Sequence, residues 1–385
     1  MTKPVRIGLS GLGNMGRMYA QLLLNGEING AVLGGVCSVI DAELKRYPGI
    51  PQFTDYKMMH RSGEVDAVIV ATPHFFHAPM GIDAFQQGLH ALIDKPLAVH
   101  KKDCERIIAA HKKTKGQAFS AMFNQRIDER FEKLKALIDE GQLGKIHRIC
   151  WVITDWFRPE IYYQSAEWRG TWKGEGGGVL VNQCPHQLDQ WQWLFGMPDR
   201  VRAFCHYGKH HDIEVEDEVT AYMEYDDGCT GVFITSTGEH PGVNRLEINA
   251  EHGRVQVCNN GLKFWRTETA VSEFSQTTRE IFGLPEVWEI EIPTRGYEPQ
   301  HKKMLQNYVD AILKGAPLLS PGPEGMRSVE LANAIFLSSE QGKTVSLPIN
   351  GAAVERILKK KAAESTHQKK IVKIKPPDIT DSFNR

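Results

Sequence analysis

The chain opens on a short apolar run, VRIGLS, which glycines break at once; RMYAQLLLNG then follows with apolar positions at helical spacing and closes on Gly26. That order predicts a strand, a tight turn and a helix. The alternation repeats: VLGGVCS, DAVIVATP and LHALIDKP read as strands with helix-like segments between them. Strands alternating with helices predict a parallel, doubly wound α/β sheet whose ligand lies at the carboxyl ends of the strands. From residue 146 the pattern changes. IHRICWVITDW, RVRAFCHYG, EVTAYMEY, GCTGVFITST, NRLEINA, GRVQVCN and GLKFWR follow one another across short turn-like breaks, which predicts a large, mostly antiparallel open sheet. Within this half, HQLDQWQWLF lies between Pro185 and Gly196 and reads as a helix with Leu188, Trp191, Leu194 and Phe195 toward the core. Two later runs, QHKKMLQNYVDAILKG and GMRSVELANAIFLSSEQGK, read as helices that pack back near the first domain.

A chain of 385 residues is long for one core, so two domains and a tail are expected: residues 1–123, 124–350 and a basic segment, 351–385. That last segment either wraps a neighbouring subunit or stays disordered. The net charge of -1 provides no global field for nucleic acid or an anionic membrane, and neither partner is expected. No signal peptide is evident, and no apolar run approaches the roughly 20 residues that span a bilayer. The seven cysteines are scattered without a C-x-x-C pair and read as reduced thiols. A cytoplasmic protein is the expectation.

The candidate chemistry begins at Gly11-Leu12-Gly13-Asn14-Met15-Gly16, a G-x-G-x-x-G run in the context of strand, turn and helix. Gly11 permits the turn, Gly13 lets backbone approach a pyrophosphate, and Gly16 allows close helix–strand packing. The cofactor is therefore NAD or NADP. Three strand ends, Cys37-Ser38, Thr72-Pro73-His74 and Asp94-Lys95-Pro96, are expected to line the same crevice. Ser38 stands where an acid would select NAD, with neither a carboxylate to repel a 2′-phosphate nor an arginine beside it, so both forms remain open.

Lys95, next to a cationic nicotinamide, is biased toward losing its proton and could bond a substrate oxygen; the plain alternative is a surface lysine. His186 falls in the first turn of its helix, where the dipole disfavours the charged imidazole; the plain alternative is a capping histidine. Asn182 precedes it by four residues, and Asp189 follows by three on the same face. Gly176, Gly177 and Gly178 would let backbone approach something flat or bulky. His210, His211 and Asp212, followed by Glu214, Glu216 and Asp217, lack ligand spacing with a second element; they are read as a solvated loop, and no metal is expected.

GLGNMG, ATPHFFHAP at 71–79, DKP at 94–96 and GGGVLVNQCPHQLD at 176–189 together resemble the Gfo/Idh/MocA oxidoreductases (glucose–fructose oxidoreductase, inositol dehydrogenase and rhizopine-catabolism relatives). The resemblance implies a Rossmann domain followed by an α/β domain with an open sheet. It implies hydride exchange between nicotinamide and a secondary alcohol of a sugar, glycoside or cyclitol. Carried over by position, Lys95 is the catalytic lysine and His186 the general acid/base. Many members have Asp where this chain has Asn182, which implies that Asn182 orients substrate hydroxyls rather than charging the histidine. His77 belongs to the segment that closes over the cofactor, and Asn124 and Arg126 touch nicotinamide or substrate. Trp168 and Arg169 offer an aromatic face and a guanidinium to a sugar. A homodimer or homotetramer built on the open sheet is also implied. Two other functions stand beside the dehydrogenase: a lyase, hydratase or glycosidase that retains NAD and acts through transient oxidation, and a non-catalytic dinucleotide sensor.

Overall fold

The computed structural model describes residues 3–259, 261–295 and 299–372. Six strands form the first sheet: β1 (Val5–Ser10), β2 (Ala31–Cys37), β3 (Gln52–Phe53), β4 (Ala67–Val70), β5 (His90–Ile93) and β6 (Phe119–Ala121). They lie in the order β3-β2-β1-β4-β5-β6, and every pairing is parallel. The helices between them are α1 (Asn14–Leu24), α2 (Asp41–Leu44), α3 (Tyr56–Arg61), α4 (His77–Gln86) and α5 (Lys101–His111). All four residues of β4 are buried, as covered parallel strands require. In α1 the residues Gly16, Tyr19, Ala20 and Leu23 form the buried stripe, at the spacing of one helix face. The strand order reverses between β1 and β4, which opens a crevice beyond Ser10 and Val70.

The second half begins with α6 (Glu129–Asp139), β7 (Ile146–Ile153), α7 (Glu160–Gln164) and α8 (Pro185–Phe195). The strands β8 (Arg200–Tyr207), β9 (Glu216–Glu224), β10 (Thr230–Ser236), β11 (Asn244–Ala250), β12 (Gly253–Cys258) and β13 (Gly261–Thr267) follow. After them come α9 (Val271–Thr277), β14 (Val287–Ile292), α10 (Gln300–Lys314), α11 (Gly325–Gln341), β15 (Val345–Ser346) and α12 (Gly351–Glu364). The nine strands run β14-β13-β12-β11-β7-β10-β9-β8-β15; only β7 and β10 pair in parallel. Along β9, Val219, Ala221 and Met223 are buried, while Thr220 and Tyr222 alternate with them on the open face. Trp151 and Phe233 of the sheet and Trp191 of α8 are fully enclosed, and burial of a side chain such as that of Phe233 contributes roughly 1.5–3 kcal/mol. Both indoles keep a partner, Asn244 Oδ1 at 3.0 Å and Tyr225 OH at 2.8 Å.

Two helices lock the halves together. Met304, Leu305, Tyr308 and Val309 of α10 share one core with Val5, Ile7 and Leu9 of β1. The helix α11 is buried on nearly every side, as an element between layers must be. Its Glu330 accepts a 2.7 Å bond from the buried Lys101 of α5.

The expected tail is part helix. Asn350 caps α12 through the Ala352 N–H at 3.0 Å, and Val354 and Leu358 sink into the second core. Residues 365–372 then cross back, where Val372 N donates to Gln164 O at 3.0 Å. The remainder of that segment, 373–385, lies outside the described residues. Among the described residues no helix is long and apolar enough to cross a membrane.

Candidate functional site

The nucleotide side is built from the turn after β1. Gly11 has φ +94°, and a Cβ there would lie 2.4 Å from Ala71 O. A Cβ on Gly16 would meet Gly11 O at 1.9 Å, whereas one on Gly13 would meet nothing within 4 Å. Gly11 and Gly16 therefore close the turn, and Gly13 keeps its outer side open. Gly13 caps α1 without any side-chain bond, so the first amides of the helix point outward unspent. Asn124 donates to Gln300 Oε1 at 2.7 Å, and its Oδ1 is buried with no partner among the described residues. An open glycine cradle, an uncapped helix start and an orphaned acceptor fit a dinucleotide.

The other residues predicted for this side have defined places. Asn14 Oδ1 accepts from Arg17 at 2.8 Å, next to Met15 in the first turn of α1. Ser38 Oγ, at the end of β2, accepts from Ile40 N at 3.1 Å. Thr72 and Pro73 lead from β4 into the short turn that carries His74. His77 is a brace: Nδ1 lies 2.7 Å from Pro96 O and Nε2 2.8 Å from Thr72 O, joining the loops after β4 and β5. Asp94 is buried; Oδ1 accepts from Lys95 N at 2.8 Å and Oδ2 from Tyr19 OH at 3.4 Å.

Across the crevice, Lys95 Nζ donates to the backbone carbonyl of Asn182 at 2.5 Å. Burial lowers the pKa of this ammonium, and Asp94 and Glu175 draw it partly back up. His186 stands in the first turn of α8, edge-on to Phe123 at 6.0 Å, with Nδ1 enclosed and without a partner among the described residues. Burial holds the imidazole well below its ordinary pKa, and the charge of Lys95 lowers it further. Desolvation and cationic neighbours favour its neutral form. Asn182 Nδ2 donates to Tyr162 OH at 3.1 Å and to Glu175. The Arg169 guanidinium lies 4.2 Å from the Tyr162 ring and 4.5 Å from the Trp168 ring, and it bonds Tyr162 OH. Trp168 in turn meets His74 edge-on at 5.8 Å.

Two expectations are corrected, for Arg126 and for the acids at 216 and 217. Arg126 is not a substrate contact: Nε and Nη2 reach the two oxygens of Asp189 at 2.7 Å each, and Nη1 reaches Glu324 at 2.6 Å. Asp189 is consumed by that pair and by Gln192. The glycines at 176–178 do let backbone approach something flat and bulky, namely protein: a Cβ on Gly176 would lie 2.9 Å from the Phe75 ring, and one on Gly178 1.9 Å from Glu216 O. The acids at 216 and 217 are buried rather than solvated: Asp217 accepts the Lys209, His210 and His211 amides, and Glu216 those of Gly178 and Leu180.

The sequence reading missed five residues around this site: Arg158, Glu175 and His301, which interact with Lys95, Tyr162, which bonds Asn182, and Lys369, which bonds the segment of Arg169. His301, on α10, is held at a pKa of about 4 by burial and by Lys95. Lys369 donates to Ala166 O at 2.8 Å and to Arg169 O. Both arrive from more than a hundred residues away, with no local pattern to announce them. Glu175 had a signal, an acid directly before the glycine run.

Two family models match this chain: the NAD-binding Rossmann fold of the oxidoreductase family over residues 5–122, and the GFO/IDH/MocA C-terminal domain over 131–256. YdgJ, an oxidoreductase of Escherichia coli, is 30% identical over 51% of this chain, and that match spans 56% of its own length. The myo-inositol 2-dehydrogenase of Thermotoga maritima is 25% identical over 89% of this chain and 98% of its own. Among solved structures, the WlbA dehydrogenase from Chromobacterium violaceum, in complex with NADH and UDP-GlcNAcA, superposes with a TM-score of 0.78 at 26% identity, covering 91% of this chain and 98% of that one. The nucleotide cradle, the sheet order and both family models agree: this chain belongs to the Gfo/Idh/MocA family of NAD-binding oxidoreductases.

Proposed function

We propose that the protein is an NAD(P)-dependent dehydrogenase of a secondary alcohol on a sugar, glycoside or cyclitol, with Lys95 and His186 handling the proton. The observation that carries this reading is the bond between Lys95 Nζ, delivered by β5, and the carbonyl of Asn182, four residues before His186. That bond across the crevice, with the effect of Lys95 on His186, supports an amine of lowered basicity and a neutral imidazole working together. The relatives point the same way: one is a myo-inositol 2-dehydrogenase and another was solved with NADH and UDP-GlcNAcA bound.

A bound nicotinamide supplies the hydride acceptor for oxidation and the donor for reduction. The protein's part is to take the proton. Oxidation of a CH–OH carbon releases a hydride from carbon and a proton from oxygen, and the free amine of Lys95 accepts that proton or passes it to His186. Asn182 holds Lys95 by its backbone, while Trp168 and Arg169 offer a ring face and a cation to the polyol. The open face of the second sheet, with Phe204 and Tyr222 exposed on it, is the surface for a second copy.

The Lys95→Ala variant tests the reading. It is expected to bind dinucleotide and to turn over at least about a hundredfold more slowly. The rate of oxidation is expected to rise with pH and to level off below the ordinary lysine value of 10.5, because only the neutral amine accepts a proton. Near-normal turnover in Lys95→Ala would remove the lysine from the mechanism.

A further inference from the structure

One charged group beside the proton-handling pair has no place in the scheme above. Glu175 is only 1% exposed, on the segment just before the glycine run. Its Oε2 accepts from Gly170 N at 2.5 Å, and its Oε1 accepts from Asn182 Nδ2. Its own carbonyl lies 3.2 Å from His74 Nδ1, so the residue is tied to both halves of the crevice. The second hydrogen of the Asn182 amide goes to Tyr162 OH.

An ionised carboxylate accepts and cannot donate, so only one orientation of a neighbouring amide satisfies it. Nδ2 must face Glu175. With both amide hydrogens engaged, Oδ1 is what Asn182 has left to offer, and it is an acceptor suited to a hydroxyl. The same carboxylate sets a negative charge opposite Lys95 from the second half of the molecule. Asp94 supplies the other, from the nucleotide side.

We propose that Glu175 is a positioning residue for hydride exchange at this site: it fixes the Asn182 amide with Oδ1 as the free acceptor, and it faces Lys95 with a negative charge. The inference rests on the reading of Lys95 and His186 as the pair that moves the proton. Burial pushes the Glu175 carboxyl up, and Arg169, the Gly170 amide, Asn182 and Lys369 draw it down. Lys95 itself faces Asp94, Glu175, Arg158 and Arg169, and it acts in turn on His74, His186 and His301. Against that background the removal of one carboxylate has a definite sign: the pKa of Lys95 falls.

A swap tests the inference. Glu175→Gln keeps an oxygen for Gly170 but turns an NH2 toward Asn182, whose amide must rotate and present a donor. Its kcat/KM is expected to fall at least about tenfold, the scale of a lost charged hydrogen bond. Asn182→Asp alone puts two carboxylates in contact and should lose as much. The double variant Glu175→Gln/Asn182→Asp restores an acceptor at 182 and a charge opposite Lys95, and it should recover to within a few fold of the parent. The side-chain NMR titration of Lys95, assigned with Lys95→Arg, supplies a readout free of substrate: its pKa should drop in Glu175→Gln and return in the double variant. A double variant no better than the single one, or a Lys95 titration that does not move, overturns the proposal. The two readings fail separately. Normal turnover of Lys95→Ala sinks the lysine's role, whereas an inactive Lys95→Ala beside a fully active Glu175→Gln sinks only that of Glu175.

Discussion

Two cations sit where the halves of this molecule meet, Arg126 buried and Lys95 partly exposed, and they are treated in opposite ways. Arg126 is 3% exposed, with two parallel bonds to Asp189 and a third to Glu324. Lys95 donates to one carbonyl oxygen beside an imidazole whose inner nitrogen is unpaired. A fully satisfied charge holds its protonation state and its place. An under-satisfied one has a shifted pKa and a tendency to exchange protons, which is what chemistry at neutral pH requires. A cation at the junction of the halves is thus a fastener in one case and a reactive group in the other, and the count of partners marks which.

The largest effect that could break this contrast is at His186. His186→Ala is expected to lower kcat/KM by about a hundredfold to ten-thousandfold. Its thermal midpoint should fall only modestly, because Nδ1 has no partner among the described residues to lose and the cost is the ring's edge contact with Phe123. Stopped-flow turnover beside a melting curve checks both halves. A destabilised but active variant would turn His186 into a packing residue.

The converse is expected at Arg126. Arg126→Met leaves the Asp189 carboxylate buried and uncompensated, at a cost of about 3–5 kcal/mol. Denaturant titration should show the loss, while kcat measured well below the midpoint stays within a few fold of the parent. If kcat collapses with the fold intact, Arg126 belongs to the site after all.

These two residues also show what a sequence can disclose. GLGNMG and DKP were readable because their chemistry is local: a turn that only glycine fits, and a lysine at a strand end. The spacing of Asn182 and His186 is local as well. The link between Arg126 and Asp189 spans 63 residues, and nothing near either one indicates it. Strands with one covered face were visible by their alternation. In β14, by contrast, Val287 and Trp288 are both about half exposed, so VWEIEI shows no clear inner side. The helix α12 was hidden by its lysines, although Val354 and Leu358 keep helical spacing beneath them.

A smaller effect sharpens the active side. Trp168 lies under the Arg169 guanidinium at 4.5 Å. Trp168→Ala removes that face and is expected to raise KM about tenfold with a lesser change in kcat, in keeping with a contact worth about 1–2 kcal/mol to ground and transition state alike. Initial-rate kinetics over a polyol series would show it. A selective loss of kcat would place Trp168 nearer the reacting carbon.

Glu216 stands between the two extremes and gives the smallest prediction. Oε1 accepts from Gly178 N at 2.8 Å and Leu180 N at 3.3 Å, while Oε2 is buried with no partner among the described residues. Burial pushes its pKa up to about 7, from 4.5. Between those values the native state holds a proton that the unfolded chain has released, so stability falls as pH rises through the window and levels off above it. Glu216→Gln keeps the accepting oxygen and has no proton to lose. Its stability relative to the parent should therefore increase from pH 5 to pH 7 by up to about 1.4 kcal/mol per pH unit, and change little beyond. Urea titrations of both proteins across that range would show the slope. A flat difference would mean that the two amides hold Glu216 ionised throughout, which would place it with Arg126 among the satisfied charges rather than with Lys95.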